Sequence, residues 1–145
     1  MFSIPFNQKL SEKQFNEFLA FCAKYKDYIY DIYFTSRMRA GFKCERCGQS
    51  VQTIPVSIHH RRPRAMGGTH RIETNYPSNL MVLCGSGTSG CHGYLESHRA
   101  EAKDYGFIIP QYEMPSNVPV KTYSYGWVLL NDDGSFTTTM EPLKE

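Results

Sequence analysis

Cysteines in pairs and histidines near an asparagine are the residues of this chain whose spacing could do chemistry. Cys44 and Cys47 form a C-x2-C pair next to Gly48, and Cys84 and Cys91 form a second, wider pair. Four thiolates can close a tetrahedral structural zinc site, and the tight first pair is the knuckle such sites use. The second spacer, Gly85-Ser86-Gly87-Thr88-Ser89-Gly90, is long, but its glycines let the chain loop out and bring both sulfurs back to one metal. Free thiols or a redox pair are the alternative reading. Cys22 stands apart, on the apolar stripe of an expected helix, as a small core residue.

Between the cysteine pairs lie His59-His60-Arg61-Arg62-Pro63, then Gly67-Gly68, then Asn79-Leu80, and His92 follows Cys91 directly. Hydrolysis of a phosphodiester needs a base for the attacking water, a cation for the charge growing on phosphate, and help for the departing oxygen. Neutral imidazole suits the first task near pH 7. Neighbouring strand residues face opposite ways, so His59 and His60 are expected to have different roles. Arg61, Arg62 and Arg64 lie in a loop after them, where guanidinium groups could fork onto DNA phosphates; a merely solvated cluster is the alternative. His98 is about 240° round an ideal helix from His92, too far for one shared ion, and reads as a surface or phosphate contact. His70 and Asn75 carry no assigned role, and the tyrosines at 25, 28, 30 and 33 read as packing.

The ordered set resembles the HNH (ββα-metal) endonuclease family: a His-His pair at a strand end, a Gly-Gly loop, Asn79-Leu80 with Leu83-Cys84 following, and Cys91-His92-Gly93 at a helix start. The resemblance covers about residues 44–99. The wide Gly-rich spacer and the ending Gly126-Trp127-Val128-Leu129-Leu130 are similar to phage-encoded members. The family pattern implies His60 as general base, His59 and His92 as ligands of a catalytic Mg²⁺, Mn²⁺ or Ni²⁺, and Asn79 as the amide that orients the base. Some members carry a further His four residues after the last motif His. Here that position is Glu96, a suitable hard-cation ligand on the same helical face. The implied activity is metal-dependent hydrolysis of double-stranded DNA, leaving a 5′-phosphate and a 3′-hydroxyl. Rival readings are a non-catalytic zinc module that binds DNA, and a DNA-packaging subunit active only beside a phage partner.

These side chains need a scaffold, and the expected fold class is α+β: a ββα-metal HNH core with a four-cysteine zinc knuckle, N-terminal helices and a small C-terminal β element. One domain is expected over 1–145, with a helical scaffold at 1–41, the knuckle and core at 42–106 and the β extension at 107–145. Ser11 and Gln14 open a helix to about Tyr25, and a second helix from Asp27 to Arg39 ends at Gly41. Val51 to His59 reads as a strand broken near Pro55, Arg61 to Pro77 as a loop, and Leu80 to Leu83 as the returning strand. A helix spans Cys91 to Tyr105. Short strands follow at Phe107–Ile109, Lys121–Tyr125 and Trp127–Leu130, before a turn at residues 131–134.

The composition, 145 residues with 41% hydrophobic and net charge +2, allows a modest core. No signal peptide or membrane span is expected, and the reading is cytoplasmic, in the host cell if the chain is phage-encoded. Eight Lys or Arg against Glu45 alone fall between residues 36 and 72, while three bases face seven acids from Glu101 onward. A basic middle suits a polyanion, and the acidic end could dock a partner.

Overall fold

A computed structural model describes residues 12, 13, 16, 28–63 and 71–144. Most of the expected first helix, with Cys22, lies outside the described residues, as do Arg64, the Gly67-Gly68 loop and His70.

Helix α1 (Tyr28–Ala40) stops at Gly41, whose φ of +64° is the left-handed cap its position suggested. Its buried Arg39 forks onto Glu45, with Nε and one Nη each 3.0 Å from a carboxylate oxygen, and donates further to the carbonyls of Pro77 and Leu80. Glu45 in turn accepts from the Val82 N–H at 2.9 Å. A charge pair this deep is tolerated because its polar atoms are bonded. It ties α1 to the cysteine knuckle and to the strand behind it.

Strands β1 (Val56–His60) and β2 (Leu80–Cys84) form an antiparallel hairpin, with His59 opposite Met81 and His60 opposite Leu80. Val56, not Val51, begins β1, since Pro55 has no N–H for a ladder. All five residues of β2 are buried, so the continuous apolar run is a strand covered on both faces. Helix α2 (Gly90–Ser97) packs on β2, and α3 (Arg99–Asp104) follows. The single helix expected over Cys91 to Tyr105 is therefore broken, at His98. There the His98 backbone leaves helical geometry, with φ −123° and ψ 57°, and His98 Nδ1 and Ser97 Oγ both lie within hydrogen-bond reach of the Tyr94 carbonyl oxygen.

Phe107, Ile108 and Ile109 are buried but form no strand. Their N–H groups go to Ala102 and Arg61 carbonyls rather than to a ladder. The apolar run reflects burial, which periodicity cannot distinguish from a core strand. Strands β3 (Val120–Thr122), β4 (Gly126–Leu130) and β5 (Phe136–Thr138) form an antiparallel sheet in that order. The sequence reading had the first two and the turn, but not β5. The architecture is thus α+β, with two small sheets and short helices around a core that includes Val82, Leu83, Leu95, Phe107, Val120 and Val128. Among the described residues, no helix is long and apolar enough to cross a membrane.

Candidate metal centres

The four cysteines converge. The sulfurs of Cys44, Cys47, Cys84 and Cys91 all lie within 4.8 Å of one another, and Cys47 and Cys84 are 3.9 Å apart. Zinc–sulfur bonds of about 2.3 Å at tetrahedral angles put sulfurs roughly 3.8 Å apart, so this donor set fits a zinc ion with small adjustments. Cys44, Cys84 and Cys91 are buried and Cys47 is exposed. Burial raises the Cys44 and Cys91 thiols. It opposes ionisation of Cys84 as well, but the hydrogen bond from the Cys91 N–H at 3.4 Å helps draw that thiol below its ordinary value.

The wide spacer closes because of two of its three glycines. Gly85 and Gly90 have φ of +87° and +61°; a Cβ on Gly85 would lie 2.1 Å from the Ser89 carbonyl oxygen, and one on Gly90 2.5 Å from that of Cys84. Gly87 has open space around it. A pair of reciprocal backbone bonds between Ser86 and Ser89 completes the turn.

A second set of ligand-type atoms gathers between β1 and α2. One nitrogen each of His59 and His92 and one Glu96 oxygen lie within 4.8 Å of one another. Oε1 of Glu96 is 3.9 Å from His59 Nδ1 and 3.8 Å from His92 Nε2. One strand beside one helix produces this: His59 reaches the set from the hairpin, and His92 and Glu96 are one turn apart on α2. Each imidazole is held by its far nitrogen. His59 Nε2 donates to the Phe107 carbonyl at 2.6 Å, and His92 Nδ1 is 2.7 Å from Ser57 Oγ. Such outer bonds fix the ring and leave the inward nitrogen's lone pair for a cation. Burial pushes His59 down to about 4 and lowers His92 as well, so both rings are neutral near pH 7, as ligands must be. With two imidazoles and a carboxylate, the set suits a divalent ion of borderline or hard character.

His60 follows His59 at the end of β1, and its Nε2 is 3.1 Å from Asn75 Oδ1. With Nε2–H as donor, Nδ1 carries the lone pair. The side-chain amide that meets His60 is that of Asn75, a residue with no expected role, and not that of Asn79. Asn79 is wholly buried and its side chain binds backbone instead: Oδ1 accepts from the Arg62 N–H at 2.7 Å, and Nδ2 donates to the Thr74 carbonyl at 2.8 Å. It fastens the segment after His60 to the one before Asn75, and so reaches His60 only through the backbone.

Comparison with protein-family models, with curated proteins and with solved structures finds no match. The assignment of the site therefore rests on its residues.

Two of the expected phosphate contacts are corrected. Arg61 has no exposed surface; Nε donates to the Gly106 carbonyl, and the Nη atoms to those of Ser78, Pro115 and Val118. Burial, with Arg39 nearby, lowers it to about 9, which still leaves it charged at pH 7. Arg62 is 3% exposed and bound to Glu73 at 3.1 Å and to the Glu113 carbonyl. Neither guanidinium can meet DNA without breaking these bonds. The third, Arg64, is outside the described residues. With Arg39 also buried, three of the seven described bases between residues 36 and 72 face inward. The arginine beside the ligand set is Arg99, half exposed, with Nη1 3.0 Å from Glu96 Oε2. Its spacing of three from Glu96 was the available signal, obscured by the helix break between them. His98 stacks on Tyr94 at 3.9 Å and turns away from the ligands.

Proposed function

We propose that this chain is a metal-dependent DNA endonuclease of the HNH class, with a structural zinc in the four-cysteine cluster and one catalytic divalent ion at His59, His92 and Glu96. The observation that carries this reading is the convergence of those three ligands, with His60 next to His59 at the end of β1 and its Nε2 held by Asn75. Mg²⁺, Mn²⁺ or Ni²⁺ bound there would offset negative charge on the phosphate and on the leaving sugar oxygen. His60 accepts a proton at Nδ1 from the attacking water, whose oxygen forms the new bond to phosphorus. The P–O3′ bond breaks, leaving a 5′-phosphate, and the 3′ oxygen takes a proton from solvent. Asn75 keeps the base in one tautomer, and Asn79 keeps Asn75 and His60 in register. Glu96 turns one oxygen to the imidazoles while Arg99 holds the other.

The inward-facing arginines remove the phosphate clamp expected of Arg61 and Arg62 in the enzyme and in a zinc-dependent binding module alike, so cleavage itself has to separate the two. The test is cleavage of supercoiled plasmid by wild type and His60→Ala of equal zinc content, with EDTA, Mg²⁺, Mn²⁺ or Ni²⁺. Metal-dependent nicking by wild type alone is the expected result. Equal cutting by both proteins would remove His60 as base. Binding without cutting in every metal would replace the enzyme with a DNA-binding module or a subunit activated by a packaging partner.

A further inference from the structure

Arg46 lies inside the knuckle, between Cys44 and Cys47, and belongs to neither ligand set. Its Nη1 is 3.4 Å from Cys91 Sγ, its guanidinium carbon lies 4.2 Å over the Tyr94 ring, and Nη2 is 3.7 Å from Glu101 Oε1. Tyr94 closes the group by donating its hydroxyl to Glu101 Oε2 at 2.7 Å. These contacts join three pieces of chain: the knuckle, helix α2 and helix α3. Cys91 and Tyr94 flank His92 on α2, and Glu96 lies half a turn beyond Tyr94.

We propose that Arg46 couples the two metal centres, bonding a zinc thiolate at one end and setting the orientation of the helix that carries His92 and Glu96 at the other. This inference rests on the reading of both clusters as metal sites. Two physical effects combine. A zinc ion with four thiolates carries a net double negative charge, and a guanidinium donating to one sulfur reduces it. The planar face of the same group stacks on Tyr94, so its position and that of α2 are fixed together. A lysine in this place keeps the charge but cannot stack and fork at once.

The experiment uses the full chain loaded with zinc, as wild type, Arg46→Met, Arg46→Lys and Glu101→Gln. Two quantities are read without DNA: the rate of zinc loss to a chromophoric chelator, and Mn²⁺ affinity by calorimetry while zinc is retained. In Arg46→Met, zinc loss is expected to accelerate about tenfold and Mn²⁺ to bind several-fold more weakly, with Arg46→Lys between it and wild type. Glu101→Gln changes no residue of the knuckle, loosens only the far end of Arg46 and is expected to weaken Mn²⁺ binding by itself, which keeps the test decisive if Arg46→Met does not fold. Variants matching wild type in both quantities would overturn the coupling, as would faster zinc loss with unchanged Mn²⁺ affinity. A wild type that binds neither ion removes the proposed function and the coupling together; one that binds both, beside unaltered variants, removes the coupling alone.

Discussion

Asn75 and Asn79 sit four residues apart, and their amides do different things. Asn75 bonds only the tip of a half-buried imidazole, so Asn75→Ala is expected to lower kcat about tenfold, the effect of one modest hydrogen bond in the transition state, and to leave the melting temperature nearly unchanged. Asn79→Ala strands a buried N–H and a buried carbonyl, and is expected to destabilise the fold by roughly 2–4 kcal/mol. Thermal melts beside steady-state kinetics separate the two. If Asn79→Ala melts like wild type while Asn75→Ala unfolds, the assignments are reversed. His59 and His92 were legible through the family resemblance, and Glu96 because the fourth residue after His92 shares its helical face. Asn75 was not, since it meets His60 from 15 residues away in the chain and no local pattern pairs them. The inward turn of Arg61 was hidden too: the four carbonyls it binds come from distant parts of the chain, and no local pattern announces them.

At the level of elements, the hairpin and the helix after it were readable because both are bounded by strong local signals: an apolar run ended by cysteine on one side, Gly-rich turn chemistry on the other. The misread pieces were short. Phe107–Ile109 has strand composition without a strand partner, and β5 is only three residues. The turn from β2 into α2 makes a sharp case for local geometry governing a metal site. An alanine at Gly90 would hold a left-handed φ, costing about 1–2 kcal/mol, and press its Cβ on the Cys84 carbonyl between two ligands. Gly90→Ala is therefore expected to weaken zinc binding at least tenfold, read by competition with a chelator of known affinity. Gly87→Ala, in open space, is the control and should bind as wild type does. Equal affinity in all three proteins would mean that the turn does not shape the site.

For the whole molecule, the cysteine cluster joins segments that the apolar core alone connects less directly: the knuckle after α1, the end of β2 and the start of α2. The knuckle also reaches the C-terminal sheet, where the Tyr123 N–H donates to the Glu45 carbonyl at 2.8 Å and the Tyr123 ring covers Gly48. Structural zinc sites bind with apparent free energies of roughly 10–16 kcal/mol, comparable to or above the 5–15 kcal/mol stability of an entire domain. Much of the folded state's advantage is then expected to depend on the metal. Removing zinc with a strong chelator should lower the melting temperature well beyond any single core substitution and abolish Mn²⁺ binding at His59, His92 and Glu96, because α2 loses its anchor at Cys91. Cys91→Ser should behave the same way with no chelator present. The two measurements are circular-dichroism melts at matched protein concentration and calorimetric Mn²⁺ titration. A zinc-free chain that melts where the zinc-loaded one does would show that the core folds unaided and that the cluster is not a structural zinc site. Loss of Mn²⁺ binding without a change in melting would instead confine the effect of zinc to the orientation of α2.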